Sequence, residues 1–215
     1  MIFYIFAYVL IVLLLIGVIW FIYKYFQDKY PKQPMILLNK SQILQKEFNR
    51  SFPPSQYVLP DPLNGDILGI TYGFKLFIEA AAENEDWGRR FDQLKPIIKY
   101  SPGVYYHPSE NYLQFSVTIQ KSKYANRSIQ TLKVKDVPIQ KWLKIIVVYS
   151  SNRIKVYFNG ILVASRKLEN PPILEPKFLY IGEENNNIKG ILGPVVYWPY
   201  PLEETLIAKA TEELI

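Results

Sequence analysis

Cleaving a glycosidic bond with retention takes two carboxyl groups about 5–5.5 Å apart. The acids that come nearest to such a pair in sequence pattern are Glu79, Glu83, Glu85 and Asp86. Glu79 and Glu83 are separated by three alanines. In a strand they share a face but stand roughly 13 Å apart. Glu85 and Asp86 precede Trp87-Gly88 and read as a solvated loop. A calcium site needs six to eight oxygens from several acids, and Asp61, Asp66, Asp86 and Asp92 form no compact set in sequence. There is no cysteine, which excludes disulfides, thiolate metal sites and cysteine nucleophiles. A single histidine, His107, excludes any site with two histidine ligands. Gly182–Asn187 is a polar loop without the spacing of a phosphate cradle. The sequence therefore predicts a non-enzymatic protein with no catalytic residue, cofactor or metal.

Recognition chemistry is better represented. Tyr105, Tyr106 and His107 lie together between Gly103-Val104 and Pro108-Ser109-Glu110. Read as a turn, they offer flat faces to a sugar, a base or a protein partner. The competing reading is a turn ordered by its own tyrosines. Lysines and Arg127 cluster over residues 121–127, with Lys133 and Lys135 beyond. Acids elsewhere in the domain nearly balance them, so they read as a solvated rim and no nucleic-acid partner is expected.

The elements that must hold these residues begin with an anchor. Ile2 to Tyr23 carries no charge and predicts a transmembrane helix over residues 1–23, with the lipid bilayer as its partner. Trp20, Tyr23 and Tyr25 gather at one end, where an aromatic belt is expected, and Lys24 follows to reach the headgroups. A signal peptide fits poorly: no basic residues precede the run and no small-residue cleavage site follows. Residues 24–50 hold Lys24, Lys29, Lys32, Lys40, Lys46 and Arg50 against Asp28 and Glu47, so most of the formal charge of +6 sits beside the anchor. This asymmetry predicts a single-pass protein with its C-terminal domain on the cytosolic side. Glycan acceptor tripeptides at Asn39, Asn49 and Asn126 would argue for the opposite side only if occupied.

Residues 24–62 read as a basic, proline-containing connector, with a short amphipathic pattern over Ile36–Phe48 and a turn capped by Ser41. Residues 63–215 read as one all-β domain. Apolar positions of period two recur over 67–82, 97–100, 112–119, 129–134, 143–149, 154–158, 161–165, 178–181 and 191–197. Asn159-Gly160 predicts a two-residue hairpin turn, since both residues accept positive φ. That register pairs Phe158 with Ile161 and Val156 with Val163. Their shared face with Ile154 is expected to be core. Lys155, Tyr157, Leu162 and Ala164 then lie on a partly exposed face. Leu202–Ile215 reads as a C-terminal helix with Leu202, Leu206 and Ile207 on its apolar face.

Trp142-Leu-Lys-Ile-Ile-Val-Val-Tyr149, followed by Arg153-Ile-Lys-Val-Tyr-Phe-Asn-Gly-Ile-Leu-Val-Ala-Ser165, resembles the core of the concanavalin A-like, laminin-G-like jelly-roll family. Phe178-Leu-Tyr-Ile-Gly182, Gly190–Tyr197 and Pro201-Leu-Glu-Glu204 resemble its closing strands and turn. The resemblance covers about residues 65–207 and implies a concanavalin A-like β-sandwich. The chain lacks the E-x-D-x-E and E-x-D-x-x-E strand motifs of the family's glucanase branch. The overall plan of anchor, connector and sandwich also resembles membrane-anchored minor structural proteins of large double-stranded DNA viruses. The expectation is a membrane-anchored interaction or structural protein that links a virion's internal membrane to capsid proteins. A carbohydrate-binding, lectin-like protein and a glycan hydrolase are the alternatives.

Overall fold

A computed structural model describes residues 2–29, 34–44, 48–51, 69–81, 94–99, 102–120, 127–173, 178–182, 188–198 and 200–214. The chain divides into two units, Met1–Gln33 and Pro34–Ile215. The first contains helix α1, Ile2–Lys29, 28 residues long. At 1.5 Å per residue that is about 42 Å. Its described side chains are Tyr8 and those from Ile11 to Tyr23, and the large apolar ones are mostly exposed around the helix. Among these described side chains, no helical stretch is long and apolar enough to cross a membrane.

The second unit holds two packed sheets. Among the described residues, one has seven strands. Six run in the order β1 (Met35–Leu38), β13 (Ile188–Trp198), β4 (Gly69–Ala81), β9 (Trp142–Ser150), β10 (Arg153–Phe158) and β11 (Ile161–Lys167); β2 (Gln42–Ile43) also pairs with β13. The other runs β3 (Phe48–Ser51), β12 (Phe178–Ile181), β5 (Lys95–Lys99), β6 (Gly103–His107), β7 (Tyr112–Gln120) and β8 (Arg127–Lys135). Every pairing is antiparallel. Side chains alternate between faces. The inner face of β4 thus contributes Ile70, Tyr72, Phe74, Leu76 and Ile78, and that of β7 contributes Leu113, Phe115, Val117 and Ile119, to one core. A smaller second core lies on the outer face of the seven-stranded sheet. There Ile146, Val148, Tyr157, Val196 and Trp198 meet Leu202 and helix α2, Glu204–Glu213. β9 and β10 are thus covered on both faces where α2 lies, which explains why Ile145–Tyr149 is a continuous apolar run. A Cβ on Gly73 would stand 2.8 Å from the Trp198 ring, so glycine there lets the indole lie across β4.

Several sequence expectations change. The stretch read as a connector supplies β1, β2 and β3, short strands formed by pairing with β13 and β12. Tyr105, Tyr106 and His107 lie in strand β6, with the turn displaced to Pro108–Asn111. The hairpin turn is where the sequence puts it, with φ of 49° at Asn159 and 84° at Gly160. Phe158 pairs with Ile161, but a register shift follows, and Val156 pairs with Ala164 rather than Val163. Ala164 packs on the core, while Ile161 and Val163, on the edge strand, are exposed. Tyr157 is buried because α2 covers its face. On α2 the buried positions are Ile207, Ala210 and Thr211, and Leu206 is exposed.

Candidate functional site

The sequence Tyr112-Leu-Gln-Phe-Ser-Val-Thr-Ile-Gln120 alternates strictly. Its apolar members enter the core, which turns Tyr112, Gln114, Ser116 and Thr118 to the outer face of the six-stranded sheet. Register carries the same face to both neighbours. Tyr105 pairs with Gln114, and Gln114 with Lys133; His107 pairs with Tyr112, and Tyr112 with Lys135; Ser116 pairs with Thr131. Tyr112 and Ser116 are buried on this face, so the patch it offers is made of Tyr105, Gln114, Thr131 and Lys133 across three strands.

One end of the patch is rigidly built. The His107 ring stacks on Tyr112 with centroids 4.8 Å apart and planes 22° off parallel. Glu110 N–H donates to His107 Nδ1 over 3.3 Å, and Ser109 Oγ lies 3.2 Å from the same nitrogen. A donor into Nδ1 assigns the ring proton to Nε2, which faces the Glu110 carboxylate at 4.0 Å. Lys133 Nζ sits 4.3 Å from the Tyr112 ring centroid, a cation–π distance. Tyr112 acts on this ammonium first through a side-chain hydrogen bond and raises its pKa above the ordinary lysine value.

The three residues singled out from sequence separate in role. Tyr105 is half-buried on the outer face. Tyr106 points inward, is buried, and donates its hydroxyl proton to Asn111 Oδ1 over 3.0 Å. Asn111, at φ 48°, also donates from Nδ2 to the Val137 carbonyl, so Tyr106 holds a turn. His107 is buried beside Tyr112. Lys133, read from sequence as part of a solvated rim, lies on this face; Gln114 and Thr131 were not singled out, and the polar half of the β7 alternation was the signal for Gln114.

Among the other candidates, Glu79 is exposed near the end of β4, while Glu83, Glu85, Asp86, Asp61, Asp66 and Asp92 lie outside the described residues. No group of three or more potential metal ligands occurs among the described residues. Trp20 and Tyr23 are exposed on α1; Lys24 and Tyr25 belong to that helix, with side chains outside the described set. Asn39 is exposed between β1 and β2, Asn49 lies in β3 opposite Tyr180, and Asn126 is outside the described residues.

Residues 71–208 match the family described as the concanavalin A-like lectin/glucanases superfamily, and the chain belongs to it. No curated protein matches the chain in sequence. Among solved structures it is similar to the binding domain of botulinum neurotoxin DC in complex with SialylT, with a TM-score of 0.55, 13% identity, and coverage of 86% of this chain and 47% of that one. The same domain in complex with rat synaptotagmin II gives a TM-score of 0.53 and 12% identity, over 86% and 48% of the two chains. The receptor-binding domain of the botulinum neurotoxin C/D mosaic serotype gives 0.56 and 11%, over 84% and 45%. The chain spans less than half the length of these structures. At such identities the likeness is one of fold.

Proposed function

We propose that this protein is a membrane-anchored, non-enzymatic binding module whose ligand lands on the outer face of the six-stranded sheet. The observation that carries the reading is the patch from Tyr105 through Gln114 to Lys133. It places a half-buried aromatic beside an amide, hydroxyls and a cation on rigid strands. Flat aromatic faces with fixed polar groups around them suit a carbohydrate, whose ring hydrogens stack and whose hydroxyls need partners. Binding domains of similar fold are in complex with SialylT and with rat synaptotagmin II, which supports recognition of a glycan or a protein by this fold. A glycan array probed with the Pro34–Ile215 unit and with its Tyr105→Ala variant tests the reading. Binding lost in the variant supports it; hydrolysis of a polysaccharide by the unit overturns the non-enzymatic part.

The anchoring part rests on α1, 28 residues long, and on the uncharged run Ile2–Tyr23 within it. Lysines on its C-terminal side support a cytosolic placement of the domain. A protein linking a virion's internal membrane to a capsid shell is the specific form of this reading that the same asymmetry favours. Proteomics of purified particles together with protease accessibility of sealed vesicles tests it.

A further inference from the structure

Helix α2 covers only part of the outer face of the seven-stranded sheet. Beyond it, one lateral row stays open. Ile43 on β2 pairs with Ile191 on β13, Ile191 with Phe77 on β4, and Phe77 with Trp142 on β9. Their neighbours Leu44, Leu192, Leu76 and Leu143 all enter the main core, so these four residues point outward together. Three strand spacings make the row roughly 14 Å long. Ile43 is 47% and Trp142 44% exposed, and Phe77 and Ile191 are partly exposed. The Phe77 and Trp142 rings lie 5.4 Å apart and brace each other.

The charges around the row are mainly of one sign. Lys75 places its ammonium 5.2 Å from the Trp142 ring. Lys141 immediately precedes Trp142, Lys189 lies two residues before Ile191, Lys40 lies three before Ile43, and all three are exposed. Glu79, two residues beyond Phe77 on β4, is the acid that shares the face among the described residues. Tryptophan flanked by lysines is the composition favoured where hydrocarbon meets headgroups. Five residues, 30–34, join α1 to β1, a reach of at most about 20 Å at full extension.

We propose that this row is a second membrane contact: the Ile43–Ile191–Phe77–Trp142 face seats on an anionic bilayer surface, with Lys40, Lys141 and Lys189 meeting lipid phosphates or carboxylates. The inference rests on the anchored reading, because α1 then keeps the domain within reach of one bilayer. Each lysine adds attraction to an anionic surface, so reversing two of them is expected to lower the docked-to-undocked ratio by at least about tenfold.

The absence of cysteine makes the test clean. Ile43→Cys and, on the opposite sheet, the 70% exposed Ile129→Cys each take one environment-sensitive fluorophore in the full chain. The labelled chains are reconstituted into vesicles of phosphatidylcholine alone or with phosphatidylserine. Docking predicts a blue shift at position 43 that needs phosphatidylserine and is absent at position 129, with a docked-to-undocked ratio that falls at least about tenfold in Lys141→Glu/Lys189→Glu. Equal emission at the two positions, or no response to phosphatidylserine, overturns the proposal. Carbonate extraction of the same vesicles separates the two readings. A retained chain with an unshifted label leaves the anchor standing and removes the docking. An extracted chain removes the anchor, and the label at position 43 alone then upholds or overturns docking.

Discussion

The Leu202 backbone N–H donates to the Thr71 hydroxyl over 2.9 Å, across 131 residues of sequence. Thr71 is fully buried, and the same hydroxyl donates to the Tyr200 carbonyl over 3.0 Å. One side chain thus satisfies two backbone groups where the chain turns from β13 into α2. This staple precedes a helix whose cap residue, Glu203, makes no side-chain capping bond. Thr71→Val keeps the shape but leaves both groups without their partner. A loss of about 1–3 kcal/mol is expected in urea unfolding. Thr71→Ser, which keeps the hydroxyl, is expected to lose less.

The hairpin at Asn159-Gly160 gives a second expectation. Gly160 has φ 84°, a region that β-branched residues resist. Gly160→Val is expected to cost about 1–3 kcal/mol. Asn159 has φ 49°, and its Oδ1 accepts the Lys144 N–H over 3.1 Å. Asn159→Ala is expected to cost about 1 kcal/mol, since one exposed hydrogen bond and a favourable left-handed residue go together. Equal, negligible shifts in denaturant midpoint would show that the turn does not constrain the fold.

This hairpin also shows what sequence can and cannot convey. The turn was legible because Asn-Gly has a local reason to sit there. The exposure of Ile161 and Val163 was not, because it depends on the register shift after Tyr157 and on β11 being the last strand of its sheet. β1, β2 and β3 were illegible for a similar reason: two to four residues carry too little periodicity, and only pairing with β13 and β12 makes them strands. On the candidate surface, Tyr105 and His107 were found by type. Gln114 was missed, and Lys133 was read as a solvated rim, because their importance lies in cross-strand register, a property of two strands at once.

Alkaline pH gives the third expectation. Tyr72, Tyr149 and Tyr197 are buried in the core, and Tyr72 and Tyr197 stand 5.2 Å apart. Desolvation raises all three hydroxyl pKa values, and the charge of Tyr72 adds to the rise at Tyr149 and Tyr197. In the unfolded chain they titrate near 10. Below that pH both states keep the protons and stability does not vary through these groups. Above it the unfolded chain releases protons that the folded chain holds, so stability falls as pH rises, by about 1.4 kcal/mol per unit for each tyrosine. Urea midpoints between pH 8 and 11 are expected to decline above 10. Tyr149→Phe is expected to remove only part of that slope, since burial also raises Tyr106, Tyr157 and Tyr200. Because the Tyr149 hydroxyl has no hydrogen-bond partner among the described residues, the same variant is expected to match or exceed the parent at pH 7.

Two adjacent tyrosines that sequence alone treats as equals, Tyr105 and Tyr106, have different roles. Tyr105 and Tyr106 are neighbours on β6, so their side chains leave opposite faces of the sheet. Tyr106 enters the main core, 3% exposed, and its hydroxyl holds Asn111 in the turn that leads into β7. Tyr106→Ala removes a large core group and is expected to cost about 3–5 kcal/mol, with ligand binding falling only in step with the folded fraction. Tyr106→Phe keeps the ring and loses one hydrogen bond, an expected cost of about 1 kcal/mol. Tyr105 is half-buried on the polar face and pairs with Gln114. Tyr105→Ala is expected to shift the melt by no more than about 1 kcal/mol while reducing affinity for the array-selected ligand about tenfold. Lys133→Ala, which removes the cation from Tyr112, is expected to weaken the same ligand without unfolding the strand. If Tyr105→Ala leaves affinity unchanged in a folded domain, binding occurs elsewhere and the outer face of the six-stranded sheet is only its solvent side.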